Sequence, residues 1–205
     1  MNIAFTGITL EKAFLYMDDL VVIGCSKNHH LENLRKVFDT CRQFRLKLNP
    51  EKCTFFHKEV TFLGHKLTDK GILPDYSKFH IINKYPRLAD ADGVKRFVVF
   101  CNYYRKFISY FADICKPLNK LTRKNAIFEW TKTCQESFET VKTALLKPQI
   151  LQYQDFNKKY ILTTDASKEA CGAVLAQNFD GTELPIAYAS KTFTKGESNK
   201  TTIEQ

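Results

Sequence analysis

The feature that most constrains this chain is Tyr16-Met17-Asp18-Asp19, set within Ala13-Phe14-Leu15-Tyr16-Met17-Asp18-Asp19-Leu20-Val21-Val22-Ile23. Two adjacent carboxylates interrupt two runs of strand-forming residues, with no other charge from Ala13 to Ile23. The pattern predicts short strands over Ala13–Met17 and Leu20–Ile23, joined at the aspartates. A tight turn between two buried strands is a rigid mount for charge. Like charges held there repel, and burying them is costly unless a cation compensates. Hard oxygen donors suit Mg²⁺, which binds through one or two carboxylates plus substrate phosphates. Mn²⁺ is the alternative ion. The same residues are also compatible with a plain acidic hairpin turn.

A chain of 205 residues has room for one large or two small domains. Hydrophobic content of 44% with 26% charged residues is that of a globular protein. No run of about 18 apolar residues is present, so no membrane span is expected. The start, Met1-Asn2-Ile3-Ala4-Phe5-Thr6-Gly7, lacks the basic segment and cleavage site of a secretory signal. The seven cysteines are scattered and form no C-x-x-C pair. They read as free thiols of a reducing, intracellular compartment. The net charge of +9 is unevenly placed: +3 over residues 1–70, +7 over 71–150 and −1 over 151–205. A basic middle third with interleaved aromatics suits a polyanion, although charge alone also fits a solubilising surface.

Periodicity predicts an amphipathic helix from His29 to Arg45, its apolar stripe made of Leu31, Leu34, Phe38, Cys41 and Phe44. Ser26 or Asn28 would cap it, and Asn49-Pro50 ends the unit. Two strands follow, Cys53–His57 and Val60–Leu67, with Gly64 permitting close backbone approach. Asp69-Lys70-Gly71 is turn chemistry and a plausible domain boundary. A short helix is expected over Lys78–Lys84, then a long one from an Asp90 cap to about Asp113. Its stripe is Val94, Phe97, Phe100, Cys101, Tyr104, Phe107, Ile108 and Phe111, flanked by Lys95, Arg96, Arg105 and Lys106. Leu118–Lys124 and Cys134–Leu146 read as further helices. Strands are expected over Lys159–Thr164, Gly172–Gln177 and Leu184–Ser190, the last two joined through Asp180-Gly181. The class is α+β. A structural metal site on Cys53, His57 and His65 lacks a fourth ligand and the usual spacing.

Tyr16-Met17-Asp18-Asp19 in an apolar hairpin resembles the metal-binding signature of reverse transcriptases. The rest of the chain resembles the Pol polyprotein of gypsy-like LTR retrotransposons. Leu46-Lys47-Leu48-Asn49-Pro50-Glu51-Lys52-Cys53, Thr61-Phe62-Leu63-Gly64-His65, Arg105-Lys106-Phe107-Ile108 and Thr164-Asp165-Ala166-Ser167 carry the likeness, in collinear order. The resemblance implies the later half of a polymerase palm over residues 1–70, a helical thumb over 71–148 and the opening of an RNase H-like domain over 149–205. It implies an RNA-directed DNA polymerase with ribonuclease H, working by two-metal phosphoryl transfer. Asp18 and Asp19 are then metal ligands, with Tyr16 and Met17 near the primer end and incoming nucleotide. Phe62, Leu63, Gly64 and His65 match the primer grip. Asp165 matches the first of four RNase H acids. Lys95, Arg96, Arg105 and Lys106 are phosphate-backbone candidates. RNA template, DNA primer, RNA–DNA hybrid and dNTPs are the implied partners, with the fingers, upstream palm, remaining RNase H and integrase of Pol. The implied location is cytoplasmic, in a virus-like particle, and nuclear.

The family's third palm aspartate lies upstream of this hairpin, and none of the 15 residues before Tyr16 is an aspartate. The second RNase H acid falls in register just beyond Gln205, with Glu204 as its neighbour. The expectation is a polypeptide truncated at both ends and inactive alone. A non-catalytic nucleic-acid-binding remnant is the alternative.

Overall fold

A computed structural model describes residues 4–5, 12–79, 82 and 85–198. The expected Lys78–Lys84 helix and Glu204 therefore lie largely or wholly outside the described residues. The chain divides into two compact units, Met1–Lys58 and Glu59–Gln205.

In the first unit, β1 (Ala13–Tyr16) pairs antiparallel with β2 (Asp19–Val22), in the register Ala13↔Val22, Leu15↔Leu20 and Tyr16↔Asp19. Alternation puts Ala13, Leu15, Leu20 and Val22 on one face. That face packs with Val37 and Cys41 of α1 (Lys27–Gln43). Ser26 caps α1 by accepting from the His29 amide at 3.2 Å. The buried stripe of α1 is rotated from the expected one. Asn33, Leu34, Val37, Thr40 and Cys41 face inward, whereas Phe44 is exposed. Fully buried Asn33 donates its Nδ2 to the Ile23 carbonyl at 2.9 Å, tying α1 to the end of β2, while its Oδ1 is buried without a partner.

The expected strand over Cys53–His57, at the end of the first unit, does not form, and in the second unit the expected single strand Val60–Leu67 is broken. Val60–Leu67 is itself a hairpin. β3 (Val60–Phe62), β4 (His65–Thr68) and β5 (Gly71–Pro74) make a three-stranded antiparallel sheet. The turn at Asp69-Lys70 lies inside this sheet, joining the paired residues Thr68 and Gly71.

Asp90 caps α2 (Ala91–Tyr103), accepting from the Gly93 amide at 2.6 Å. The helix expected to run on to Asp113 ends at Tyr103. A 3-10 turn (Arg105–Phe107), α3 (Phe111–Ile114) and α4 (Lys116–Leu121) follow. The break folds Tyr104, Phe107, Ile108 and Phe111 back onto the same core as Val94 and Phe97, all 5% exposed or less. α5 (Lys132–Leu146), capped by Thr131, closes that core, with Phe97 and Phe138 ring centroids 4.7 Å apart.

β6 (Tyr160–Ala166), β7 (Ala170–Phe179) and β8 (Thr182–Thr192) form a second antiparallel sheet in sequence order. The Asp180-Gly181 turn between β7 and β8 has positive φ at both residues (53° and 87°), the backbone such hairpins favour. A final short helix, α6, spans Lys195–Ser198.

Candidate functional site

The β1–β2 turn consists of Met17 and Asp18, with Tyr16 and Asp19 as the closing pair. Met17 has φ +49°, a left-handed conformation costing an ordinary residue about 1–2 kcal/mol. Strain of this kind persists where the surrounding structure over-determines it. Here the base of the hairpin is closed by the Ile23 amide on the Lys12 carbonyl at 2.9 Å, and one strand face is packed on α1.

The burial expected around the carboxylates is absent. Asp18 and Asp19 are exposed, Tyr16 is 49% exposed and Met17 72%. Among the described residues, one face of the ribbon packs on α1, and its tip is exposed. Two exposed, adjacent carboxylates are hard oxygen donors and fit a divalent cation shared with ligand phosphates. Among the described residues, no group of three or more His, Cys, Asp or Glu side chains converges as a metal cage.

The Phe62–His65 segment is a tight turn whose central residues, Leu63 (φ 48°) and Gly64 (φ 68°), are both left-handed. It is clamped from α2. The Tyr103 hydroxyl donates to the Leu63 carbonyl at 2.7 Å, and a Cβ on Gly64 would lie 3.3 Å from Tyr103 and Tyr104 atoms. The His65 ring sits among Tyr103, Tyr104 and Phe107, with centroids 5.6–6.0 Å away. His65 Nδ1 lies 2.7 Å from the Leu63 carbonyl. A carbonyl only accepts, so Nδ1 carries the proton and Nε2 is bare. Nε2 is buried without a hydrogen-bond partner. Burial, and secondarily the Lys106 charge, lower the His65 pKa below its ordinary value of 6.5.

This sets a pH dependence. Neutral His65 is favoured in the folded state, so its contribution to stability is complete above about pH 6.5. The contribution is lost as pH falls toward the depressed folded value, because the unfolded chain takes up the proton first. Thermal unfolding between pH 7.5 and 5.5 should show the native chain losing more stability than His65→Phe. Equal losses would contradict it.

The basic residues of the helical region separate. Lys95, Arg96 and Arg105 are exposed. Lys106 is half-buried with its Nζ 5.3 Å from the Phe107 ring centroid, and burial lowers its pKa. Three cations are therefore free to meet a polyanion, and the fourth packs instead.

Asp165 lies within β6, opposite Gly172, and is exposed. Tyr110 donates its hydroxyl to Asp165 Oδ2 at 3.3 Å. Sequence reasoning did not single out Tyr110, Tyr103 or Asn33. A buried-face Asn in α1 was the available signal for the last of these.

Along the chain, acid-bearing strand segments thus lie before and after a basic helical region. Residues 1–67 match the family described as reverse transcriptase (RNA-dependent DNA polymerase). Residues 130–205 match the RNase H-like domain found in reverse transcriptase. The chain belongs to the reverse transcriptase and RNase H portion of LTR retrotransposon Pol polyproteins. It is 60% identical, over its whole length, to 17% of the retrovirus-related Pol polyprotein from transposon 412 of Drosophila melanogaster. Among solved structures, the foamy viral protease-reverse transcriptase dRH in complex with double-stranded DNA matches 99% of this chain and 36% of its own, at 25% identity and TM-score 0.86. The foamy viral enzyme in complex with RNA/DNA hybrid matches 98% of this chain and 27% of its own, at 24% identity and TM-score 0.81. The chain spans 14–20% of the length of the curated relatives it matches.

Proposed function

We propose that this chain contributes to an RNA-directed DNA polymerase with ribonuclease H of a gypsy-like LTR retrotransposon. Residues 1–70 are assigned to the palm, 71–148 to the thumb and 149–205 to the opening of the RNase H-like domain. The observation that carries this reading is the hairpin: two exposed carboxylates on a strained two-residue turn, backed by a packed helix.

In this reading Asp18 is the direct ligand of the divalent cations, Mg²⁺ or Mn²⁺, and Asp19 either binds one of them weakly or supports the turn. Bound cations supply charge neutralisation on the triphosphate and activation of the primer hydroxyl. The protein's own work is positioning. Tyr16 and Met17 present exposed side chains beside the primer end and the incoming nucleotide. The Phe62–His65 turn, held by Tyr103, keeps a fixed shape against the primer. Lys95, Arg96 and Arg105 meet phosphates without reading sequence, giving salt-sensitive affinity for template–primer. Asp165 is the RNase H metal ligand of this chain. The foamy viral enzymes carry double-stranded DNA and RNA/DNA hybrid, which supports the same nucleic-acid partners here. dNTPs and the remaining Pol segments complete the partner set, in cytoplasmic virus-like particles and the nucleus.

The test is exchange of this chain for the matching segment of the transposon 412 Pol polyprotein. The exchanged polyprotein should extend a DNA primer on an RNA template at a rate comparable to the unexchanged one. An exchanged protein that binds RNA–DNA hybrid but makes no DNA would contradict the reading, and would favour a non-catalytic nucleic-acid-binding role.

A further inference from the structure

The Asp165 end of β6 carries a contact that the motif does not assign. Tyr110 stands between the 3-10 turn and α3 at φ 54°, ψ 29°, in the left-handed region. That conformation is strained for a residue with a side chain. Its ring covers Gly172. A Cβ built there would fall 2.8 Å from Tyr110 Cδ1 and Cε1, closer than real Cβ atoms come. Gly172 is the cross-strand partner of Asp165, and the Tyr110 hydroxyl reaches Asp165 Oδ2 at 3.3 Å. The segment around Tyr110 is fixed to the same sheet by two further contacts. The Ala112 amide donates to Ser190 Oγ at 2.8 Å, and Lys116 pairs with Glu169.

One side chain is thus aimed by unusual backbone, seated in a slot open only to glycine, and hydrogen-bonded to an exposed carboxylate. We propose that Tyr110 is a positioning residue for Asp165. Its hydroxyl holds the carboxylate in the orientation in which it takes a divalent cation. This rests on the reading of Asp165 as a metal ligand. The chemistry suits the role. A free aspartate on a strand surface samples several rotamers, and a donor on Oδ2 selects one. Oδ1 and the second lone pair of Oδ2 stay open to a cation. A phenol is neutral, so it does not repel that cation as a lysine would. Outer-shell donors of this kind are typically worth about 10–100-fold in metal affinity. The ring has a separate role, packing on Gly172.

Tyr110→Phe separates the two roles, because it keeps the ring and removes the hydroxyl. The ¹⁵N-labelled 205-residue chain is titrated with Mn²⁺, and paramagnetic broadening is followed at the amides of residues 164–173. All titrated chains carry Asp18→Asn, so that binding at that turn does not contribute to the broadening. Tyr110→Phe should bind Mn²⁺ there about tenfold more weakly, with an unchanged unfolding midpoint. Asp165→Asn should abolish the broadening. If Asp165→Asn abolishes it and Tyr110→Phe binds as the native chain does, the proposal is overturned and the reading of Asp165 stands. If broadening survives Asp165→Asn, both fall.

Discussion

A Gly71→Ala chain loses a large share of the stability of its larger unit, about 3–5 kcal/mol against the roughly 5–15 kcal/mol that holds a domain folded. Gly71 opens β5 at φ 133°, a region that side-chain-bearing residues rarely enter. A Cβ there would lie 2.3 Å from the Leu151 carbonyl oxygen and 2.8 Å from the Ile150 side chain. The clash is with backbone, so no rotamer relieves it. Relief would require separating β5 from Leu151. That bridge consists of the Ile72 amide on the Leu151 carbonyl at 2.7 Å and the Leu151 amide on the Ile72 carbonyl at 3.0 Å. It joins the β3–β5 sheet to the segment leading into the β6–β8 sheet, and Leu151 is fully buried in the main core. Urea unfolding should show the lowered midpoint, and hydrogen exchange should show lost protection at Ile72 and Leu151. A Gly71→Ala chain with native protection at both amides would contradict the account.

The second large effect concerns chemistry. Asp18→Asn keeps the size of the side chain and removes its charge, leaving a neutral amide oxygen that is a poor donor to Mg²⁺. Asp18 is exposed on a two-residue turn, so the substitution disturbs no packing. Stability should be unchanged while RNA-templated synthesis by the exchanged polyprotein falls by about a hundredfold or more, beyond what loss of an outer-shell partner costs.

Much of the architecture was legible where local chemistry is decisive. The β1–β2 hairpin, the caps at Ser26 and Asp90, the Asp180-Gly181 turn and the order of three strands after Pro148 all follow from residue type and period. The misreadings have separate physical causes. Val60–Leu67 read as one strand because Leu63, whose residue type does not announce left-handed backbone, turns the chain together with Gly64. Asp90–Asp113 read as one helix because the apolar spacing continues past Tyr103, whereas the helix ends at Tyr104 in non-helical backbone. The α1 stripe was misplaced because Asn33 and Thr40 occupy buried positions. The partner that helps offset burial of Asn33 is distant in sequence: the Ile23 carbonyl that accepts from its Nδ2 is ten positions away. Asp18, Asp19 and Asp165 were legible as identities. Their exposure was not, since apolar flanks suggest burial, whereas the tip of the β1–β2 ribbon is exposed.

In the proposed reading, Asp18 and Asp165 serve two different reactions. This is tested most directly by measuring primer extension and RNA-strand cleavage on one RNA–DNA substrate. The polyprotein used carries this chain in place of its own segment, with Asp18→Asn or Asp165→Asn. The account predicts that Asp18→Asn loses DNA synthesis and keeps cleavage, and that Asp165→Asn loses cleavage and keeps synthesis. Full synthesis with Asp18→Asn would contradict it.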